Sequence, residues 1–336
     1  MIDQDITWET TATLDFGMDI GLFDGKVNIV ADYFRKNTSD IIVQLPIPLI
    51  LGEIQAPYEN VGEMLNTGFE LDLNYDNQVK DKNKLGYNIN LNMTYINNEV
   101  TKFNGNSPDQ LYLIREGYSY KSLYGYKEIG IYQTDQEALD HMHANSFKPK
   151  AGNLKFEDTN NDGKLGFEDK QGLGNTIPKF TFGITPSFKY KGFDLSLLFQ
   201  GIVGVHAYTQ NNFTHVTWEN RILSTRWRNA WTPQNTNTNV PSLKYDNTWD
   251  NSENSYWVHN LSFIKLKNIQ LGYTCPGSIV SKLGVQKIYI YANAQNVFSI
   301  VNKDYEGYDP ERNTFDSGNN LYPIPRIISF GVNLNF

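Results

Sequence analysis

The stretch Ile327-Ile328-Ser329-Phe330-Gly331-Val332-Asn333-Leu334-Asn335-Phe336 closes the chain, and its alternation decides the fold. Successive side chains leave a β-strand on opposite faces, with period two. Ile328, Phe330, Val332, Leu334 and Phe336 therefore share one face, and Ser329, Gly331, Asn333 and Asn335 share the other. One face is oily, and the opposite face is small and polar. A soluble sandwich would alternate in the same way, with its oily face turned to a core. Repetition separates the two readings, because strands of a transmembrane barrel carry this pattern one after another, apolar toward lipid and polar toward the lumen.

Working back from the C-terminus, eight further segments repeat it. Ala12, Leu14, Phe16, Met18 and Ile20 alternate with Thr13, Asp15, Gly17 and Asp19. Val27, Ile29, Ala31 and Tyr33 continue the oily face after a short turn at Phe23-Asp24-Gly25. Phe69, Leu71, Leu73 and Tyr75 oppose Glu70, Asp72, Asn74 and Asp76, while Ile89, Leu91, Met93 and Tyr95 oppose a run of Asn. Phe180, Phe182 and Ile184 form another such face, as do Phe193, Leu195, Leu197 and Phe199. In the stretch 261–274, Ile264 and Leu266 fall out of phase with Ile269, Leu271 and Tyr273, which predicts a bulge near Asn268. An eighth strand spans 288–298. Inward-facing Asp, Glu and Asn in these numbers would be ruinous in a dry core and suit a watery or protein-filled lumen.

Composition agrees. The chain has 336 residues with 20% charged and 14% aromatic side chains, a mean hydropathy of −0.49, and no apolar run near the roughly 20 residues of a transmembrane helix. A net charge of −8 disfavours nucleic acid as a partner. The single cysteine, Cys275, excludes an internal disulfide framework. The start, Met1-Ile2-Asp3-Gln4-Asp5, lacks the basic and apolar regions of a signal peptide.

Connections alternate in length. Short ones fall at 23–26, 76–84, 190–192 and 276–286; long ones at 44–59, 100–176, 209–255 and 300–322. Outer-membrane barrels keep short turns periplasmic and long loops outside, so a C-terminal strand descending to the periplasm puts every short turn on that side. Phe23, Tyr75, Tyr87, Phe188, Tyr190, Phe193, Tyr273 and Phe336 collect there as an interfacial girdle. Nine strands cannot close a barrel that needs an even number. The reading is therefore an all-β antiparallel meander, 1–336, forming the C-terminal part of a larger transmembrane barrel. Large extracellular insertions are expected at about 100–176 and 209–255, with a plug domain absent. A large soluble β-sandwich or solenoid is the competing fold.

The residues also carry a family resemblance across nearly the whole chain. Pro57-Tyr58-Glu59-Asn60-Val61-Gly62, Asn66-Thr67-Gly68-Phe69-Glu70-Leu71, Leu123-Tyr124-Gly125-Tyr126, Gly130-Ile131-Tyr132 and Trp231-Thr232-Pro233 stand in the order of the SusC/RagA-type TonB-dependent transporters. The run Phe263-Ile264-Lys265-Leu266-Lys267-Asn268-Ile269-Gln270-Leu271-Gly272-Tyr273 is similar to that family's penultimate hairpin, and Ala294-Gln295-Asn296-Val297-Phe298 follows it. The resemblance implies a cell outer-membrane barrel of 22 strands around a plug. It also implies import of oligosaccharides or peptides, a SusD-like surface lipoprotein partner, and TonB coupling only through a missing N-terminal region. The alternative is a surface or secreted β-rich calcium-binding adhesion module. No nucleophile–base arrangement supports an enzyme.

One motif points to a metal. The run 158–169 places Asp158, Asn160 and Asp162 at positions one, three and five of a twelve-residue calcium loop, Gly163 at six and Asp169 at twelve. Lys164 would add its backbone carbonyl. The competing reading is a solvated Asx-turn cluster without an ion. Thr134 with Glu137 forms a capping box that predicts a short helix, and His141 and His143 do not share a helical face. Trp218 and Trp249 are candidate sugar-stacking platforms, and the remaining indoles of that loop are expected to anchor its core.

Overall fold

The computed structural model describes residues 6–44, 58–77, 79–105, 111–141, 148–209, 225–243, 248–303, 305, 309–311 and 324–336. Four long strands come first: β1 (Thr10–Leu22), β2 (Val27–Gln44), β3 (Tyr58–Asp76) and β4 (Gly86–Phe103). Short strands follow: β5 (Tyr112–Leu113), β6 (Ser122–Gly125), β7 (Glu128–Ile131), then helix α1 (Asp135–Asp140), β8 (Leu154–Phe156) and β9 (Gln171–Gly174). The long β10 (Phe180–Tyr190) and β11 (Phe193–Val203) precede the short β12 (His206–Tyr208) and β13 (Val258–Asn260). The chain ends with β14 (Phe263–Thr274), helix α2 (Gly277–Val280), β15 (Lys287–Val301) and β16 (Ile327–Asn335).

All nine long strands join one sheet in the order β1-β2-β3-β4-β10-β11-β14-β15-β16, every neighbour antiparallel. The expected meander therefore forms, with sequence neighbours as spatial neighbours. The hairpin from β1 to β2 turns at 23–26, where Lys26 N–H bonds the Phe23 carbonyl (3.3 Å) and Phe23, Asp24 and Gly25 all take positive φ. The predicted bulge is present: the register shifts between Leu266 and Asn268 on β14, and between Leu198 and Phe199 on the facing strand β11.

Register settles which side chains share a face, because directly opposed residues project the same way. Phe16 opposes Tyr33, Tyr33 opposes Phe69, Phe69 opposes Tyr95, and Tyr95 opposes Phe180. Farther along, Leu197 opposes Ile269, Ile269 opposes Ala294, and Ala294 opposes Ile328. Phe16, Phe69, Leu91, Phe182, Leu197 and Phe330 accordingly lie on one face. Within it Phe16 is 64% exposed and Phe330 81% exposed. A contiguous apolar face this open needs an apolar partner, and lipid is the one a barrel meets.

The opposite face is polar. Asp32 lies directly across from Glu70, and Asp72 across from Asn92. Two carboxylates opposed on one face repel, which water or a counter-charge must relieve. Side-chain amides bond across strands here: Asn98 donates to Asn66 (2.7 Å) and Asn293 to Asn268 (2.9 Å). Aromatics face this side too, over glycines: the Phe34 ring over Gly68, Tyr289 over Gly272 and Tyr291 over Gly331, each filling the space that a Cβ would need.

The core sits elsewhere. Among the described residues, three buried apolar clusters lie in the connections between β4 and β10 and between β11 and β14, not against the oily face. The sandwich alternative requires a second sheet over residues such as Phe16 and Phe330, and the described residues supply none. Among the described residues β1 pairs only with β2 and β16 only with β15, which leaves the sheet two open edges. None of the described helices is long and apolar enough to cross a membrane.

Candidate functional site

The two long connections fold into one body above the sheet. Its seams are backbone bonds between residues far apart in sequence: Ser242 N–H to the Gly152 carbonyl (2.7 Å), Tyr126 N–H to Glu253, and Ser255 N–H to Tyr126 (2.9 Å each). Asp250, 1% exposed, accepts the Leu154 N–H (2.7 Å) and the Asn153 side-chain amide (3.1 Å). Lys170 reaches Glu253 at 3.0 Å. Such paired groups, buried and satisfied, make the junction specific as well as cohesive.

Aromatic rings fill the junction. Trp249 stacks on Phe156 with centroids 5.2 Å apart, and Phe156 on Tyr126 at 5.3 Å, while the Lys170 ammonium lies over the Tyr126 ring. The Trp249 indole N–H donates to the Leu154 carbonyl (2.8 Å). Trp249 is 8% exposed, so the expectation that it offers a free face to a sugar does not hold. Its neighbours from the first connection already cover it. Trp227, Trp231 and Trp257 are buried as loop-core anchors. Trp218 lies outside the described residues.

Helix α1 starts as its capping pattern predicts. The Thr134 hydroxyl accepts the Glu137 N–H (3.0 Å), and the Glu137 carboxylate reaches back to Gln133 N–H (2.8 Å), one residue before the cap. That N–H, with Lys155 behind it, holds the Glu137 carboxyl below the ordinary glutamate range. An open cleft of about 370 Å³ beside the helix is lined by Thr134, Gln136, Glu137, Asp140, His141 and Lys155. Burial, with Lys155 nearby, lowers the His141 pKa, and the ring bonds the Tyr132 hydroxyl at 2.7 Å. His143 lies outside the described residues.

The calcium-type loop is closed by its own backbone. Asp158 accepts the Gly163 N–H (2.9 Å), Asn160 the Asp162 N–H (2.9 Å), and Asp162 the Lys164 N–H (2.7 Å). Asp169, fully buried, accepts Thr159 N–H on one oxygen (2.9 Å) and Gly166 N–H on the other (2.7 Å). The other oxygen of Asp158, Oδ1, is buried without a hydrogen-bond partner. Among the described residues no group of three or more His, Cys, Asp or Glu side chains is set to hold a metal. A cation here would lean on the Asn160 amide oxygen and the Lys164 carbonyl as well as Asp158 and Asp162. That hard-oxygen set suits calcium chemically, whereas Asp169 is already engaged by two N–H groups.

Sequence reasoning missed Asp250, which carries no local pattern, and the pairing of Lys265 and Lys267 with Asp309 and Glu311, although the lysines stand in a quoted motif.

Comparison with known proteins completes the description. Residues 2–297 match the family model described as TonB dependent receptor-like, beta-barrel. TonB-dependent receptor P3 of Formosa agariphila is 29% identical, with 99% of this chain aligned to 35% of that protein. TonB-dependent receptor SusC of Bacteroides thetaiotaomicron is 26% identical, with 99% of this chain aligned to 32% of that protein. A solved structure of the RagAB peptide transporter superposes with a TM-score of 0.77 at 24% identity, over 99% of this chain and 36% of that one. The chain thus spans 35% of the length of the curated relative P3.

Proposed function

The chain belongs to the TonB-dependent receptor-like β-barrel family, and from that premise we propose that it supplies the C-terminal wall and outer loops of an outer-membrane nutrient importer. The single observation that carries this is the division of labour in the fold. A nine-strand meander gathers its apolar side chains on one face, while the connections between β4 and β10 and between β11 and β14 fold into a body with buried clusters of its own. A lipid-facing wall needs the first, and a ligand-facing mouth needs the second. The chain works by binding and passage rather than by bond-breaking.

The cargo is an oligosaccharide or a peptide, and the partner at the mouth is a SusD-like surface lipoprotein. Support comes from the SusC relative and from the likeness to the RagAB peptide transporter. TonB coupling is assigned to sequence beyond this chain. The test is uptake by cells deleted for the whole gene that contains this chain, fed labelled oligosaccharides and labelled peptides in turn. Uptake of one class should be lost on deletion, regained with the intact gene, and lost again when the proton gradient is dissipated. Undiminished uptake of both classes would contradict the reading.

A second reading concerns the loop 158–169. We infer that it takes calcium through Asp158, Asn160, Asp162 and the Lys164 carbonyl, with Asp169 bracing the loop from beneath. The buried, unpartnered Asp158 Oδ1 favours it, and loops of this kind outside cells bind at around 10⁻⁴–10⁻³ M. Calcium titration of the intact protein should release or absorb heat that Asp158→Asn removes. Identical heats from both proteins would sink the idea.

A further inference from the structure

We propose that His206 latches the joint where the two outer connections meet at the barrel rim, and that protonating its ring releases the joint. His206 opens β12, just beyond the end of the wall strand β11. Its N–H donates to the Asn175 carbonyl (2.7 Å), which lies just past β9 at the end of the first connection. Gly174 beside it takes a positive φ of 153°. The His206 ring fills the space that a Cβ on Gly174 would need, with Cγ 2.6 Å and Nδ1 2.9 Å from that position. One imidazole thus holds the exit of the first connection against the entry of the second.

The latch suits a neutral ring. Nδ1 is buried, and among the described residues nothing bonds it. A buried bare acceptor costs less than a buried bare donor carrying charge, so the tautomer with its proton on Nε2 is the one that fits. Burial pushes the ring's pKa below the ordinary histidine value. The Asn175 carbonyl works the other way, but it already accepts the His206 N–H, and the Lys179 ammonium adds to the effect of burial. Lys179 is held at the rim by its N–H bond to the Val203 carbonyl (3.0 Å). The other neighbours bring no charge. Asn260 stands opposite His206 on β13, and β6, which packs on β12, is Ser-Leu-Tyr-Gly. His259 projects to the other face, where its ring bonds Thr209.

Linkage gives the direction. A histidine whose pKa is lowered by folding contributes stability that is complete above about 6.5 and is lost as pH falls through the folded value. Opening the joint lets water solvate the Nδ1 proton and draws the ring away from Lys179, so acid favours the open form. Little else holds the joint shut. Gly174 meets Leu123 where the register between β6 and β9 shifts, and β12 pairs with β13 over 3 residues. The latch depends on neither the cargo nor calcium.

The test is hydrogen exchange on the whole protein in detergent micelles at about pH 7.5 and about pH 5.5, corrected for the intrinsic pH dependence of amide exchange. The His206 amide should lose protection at least about threefold on acidification, while β10 and β11 keep theirs. His206→Phe keeps a ring over Gly174 without a titrating nitrogen, and its exchange should not respond to acid. Unchanged protection of the His206 amide in the unmodified protein, or an acid response that persists in His206→Phe, overturns the proposal. Should His206→Phe fail to assemble, exchange of the His206 ring's own Cε1 hydrogen in the unmodified protein decides. That exchange should titrate below about 6.5, and titration at or above that value overturns the proposal.

Discussion

Reconstituted alone into a planar bilayer, the 336-residue chain is expected to give no stable, uniform conductance steps. Its nine strands leave β1, 13 residues long, and β16, nine residues long, each with one unpaired edge. In hydrocarbon every unsatisfied N–H or C=O costs several kcal/mol, because no water is present to take its hydrogen bond. The sum over two edges far exceeds the marginal stability of a folded chain. Adding the remainder of the gene product as a second polypeptide should restore barrel assembly by pairing along both edges. Uniform steps from the lone chain would mean that β1 and β16 find each other, or that copies close the ring together. Either outcome would replace the account of this chain as one arc of a larger wall.

Trp249→Ala is expected to loosen the whole loop body while leaving the sheet intact. The indole stacks on Phe156 and donates to Leu154, so its loss removes a large buried ring from the seam between the two connections. Truncating a buried Trp typically costs about 3–5 kcal/mol. Hydrogen exchange should rise across β8 and at Asp250's partners, with β10 and β11 unchanged. The comparison substitution is Phe167→Ala, whose ring is 61% exposed and whose removal should cost no more than about 0.5 kcal/mol. Equal effects from the two, or none from Trp249→Ala, would show that the connections are not held by this stack.

The sheet was legible because its signal is local and repeated. Period-two alternation needs only a few residues to register, and even the bulge announced itself through the phase break between Leu266 and Ile269. Helix α1 was legible for the same reason, since Thr134 and Glu137 lie three residues apart. The loop body was not, because its determinants are pairs such as Trp249 with Phe156 and Asp250 with Leu154, drawn from different connections. A tryptophan reads alike in sequence whether its face is open or covered, which is why Trp249 looked like a platform. The calcium-type spacing of 158–169 likewise says nothing about which N–H groups already occupy the oxygens of Asp169.

Facing of the wall is the central claim, and one paired measurement tests it most directly. Leu197 and Ser196 are adjacent near the middle of β11 and project to opposite faces; Leu197 opposes Ile269, and Ser196 opposes Ser187 and Gln270. Arginine is introduced at each position in turn in the whole protein, and the stability of the assembled barrel is measured in lipid bilayers by denaturant titration. On this account Leu197→Arg loses about 2–4 kcal/mol, the cost of a cation at lipid depth. Ser196→Arg, facing a polar lumen beside Asp194, stays near the unmodified value. Equal losses at the two positions, or a larger loss at Ser196, would contradict a wall whose Leu197 face meets lipid.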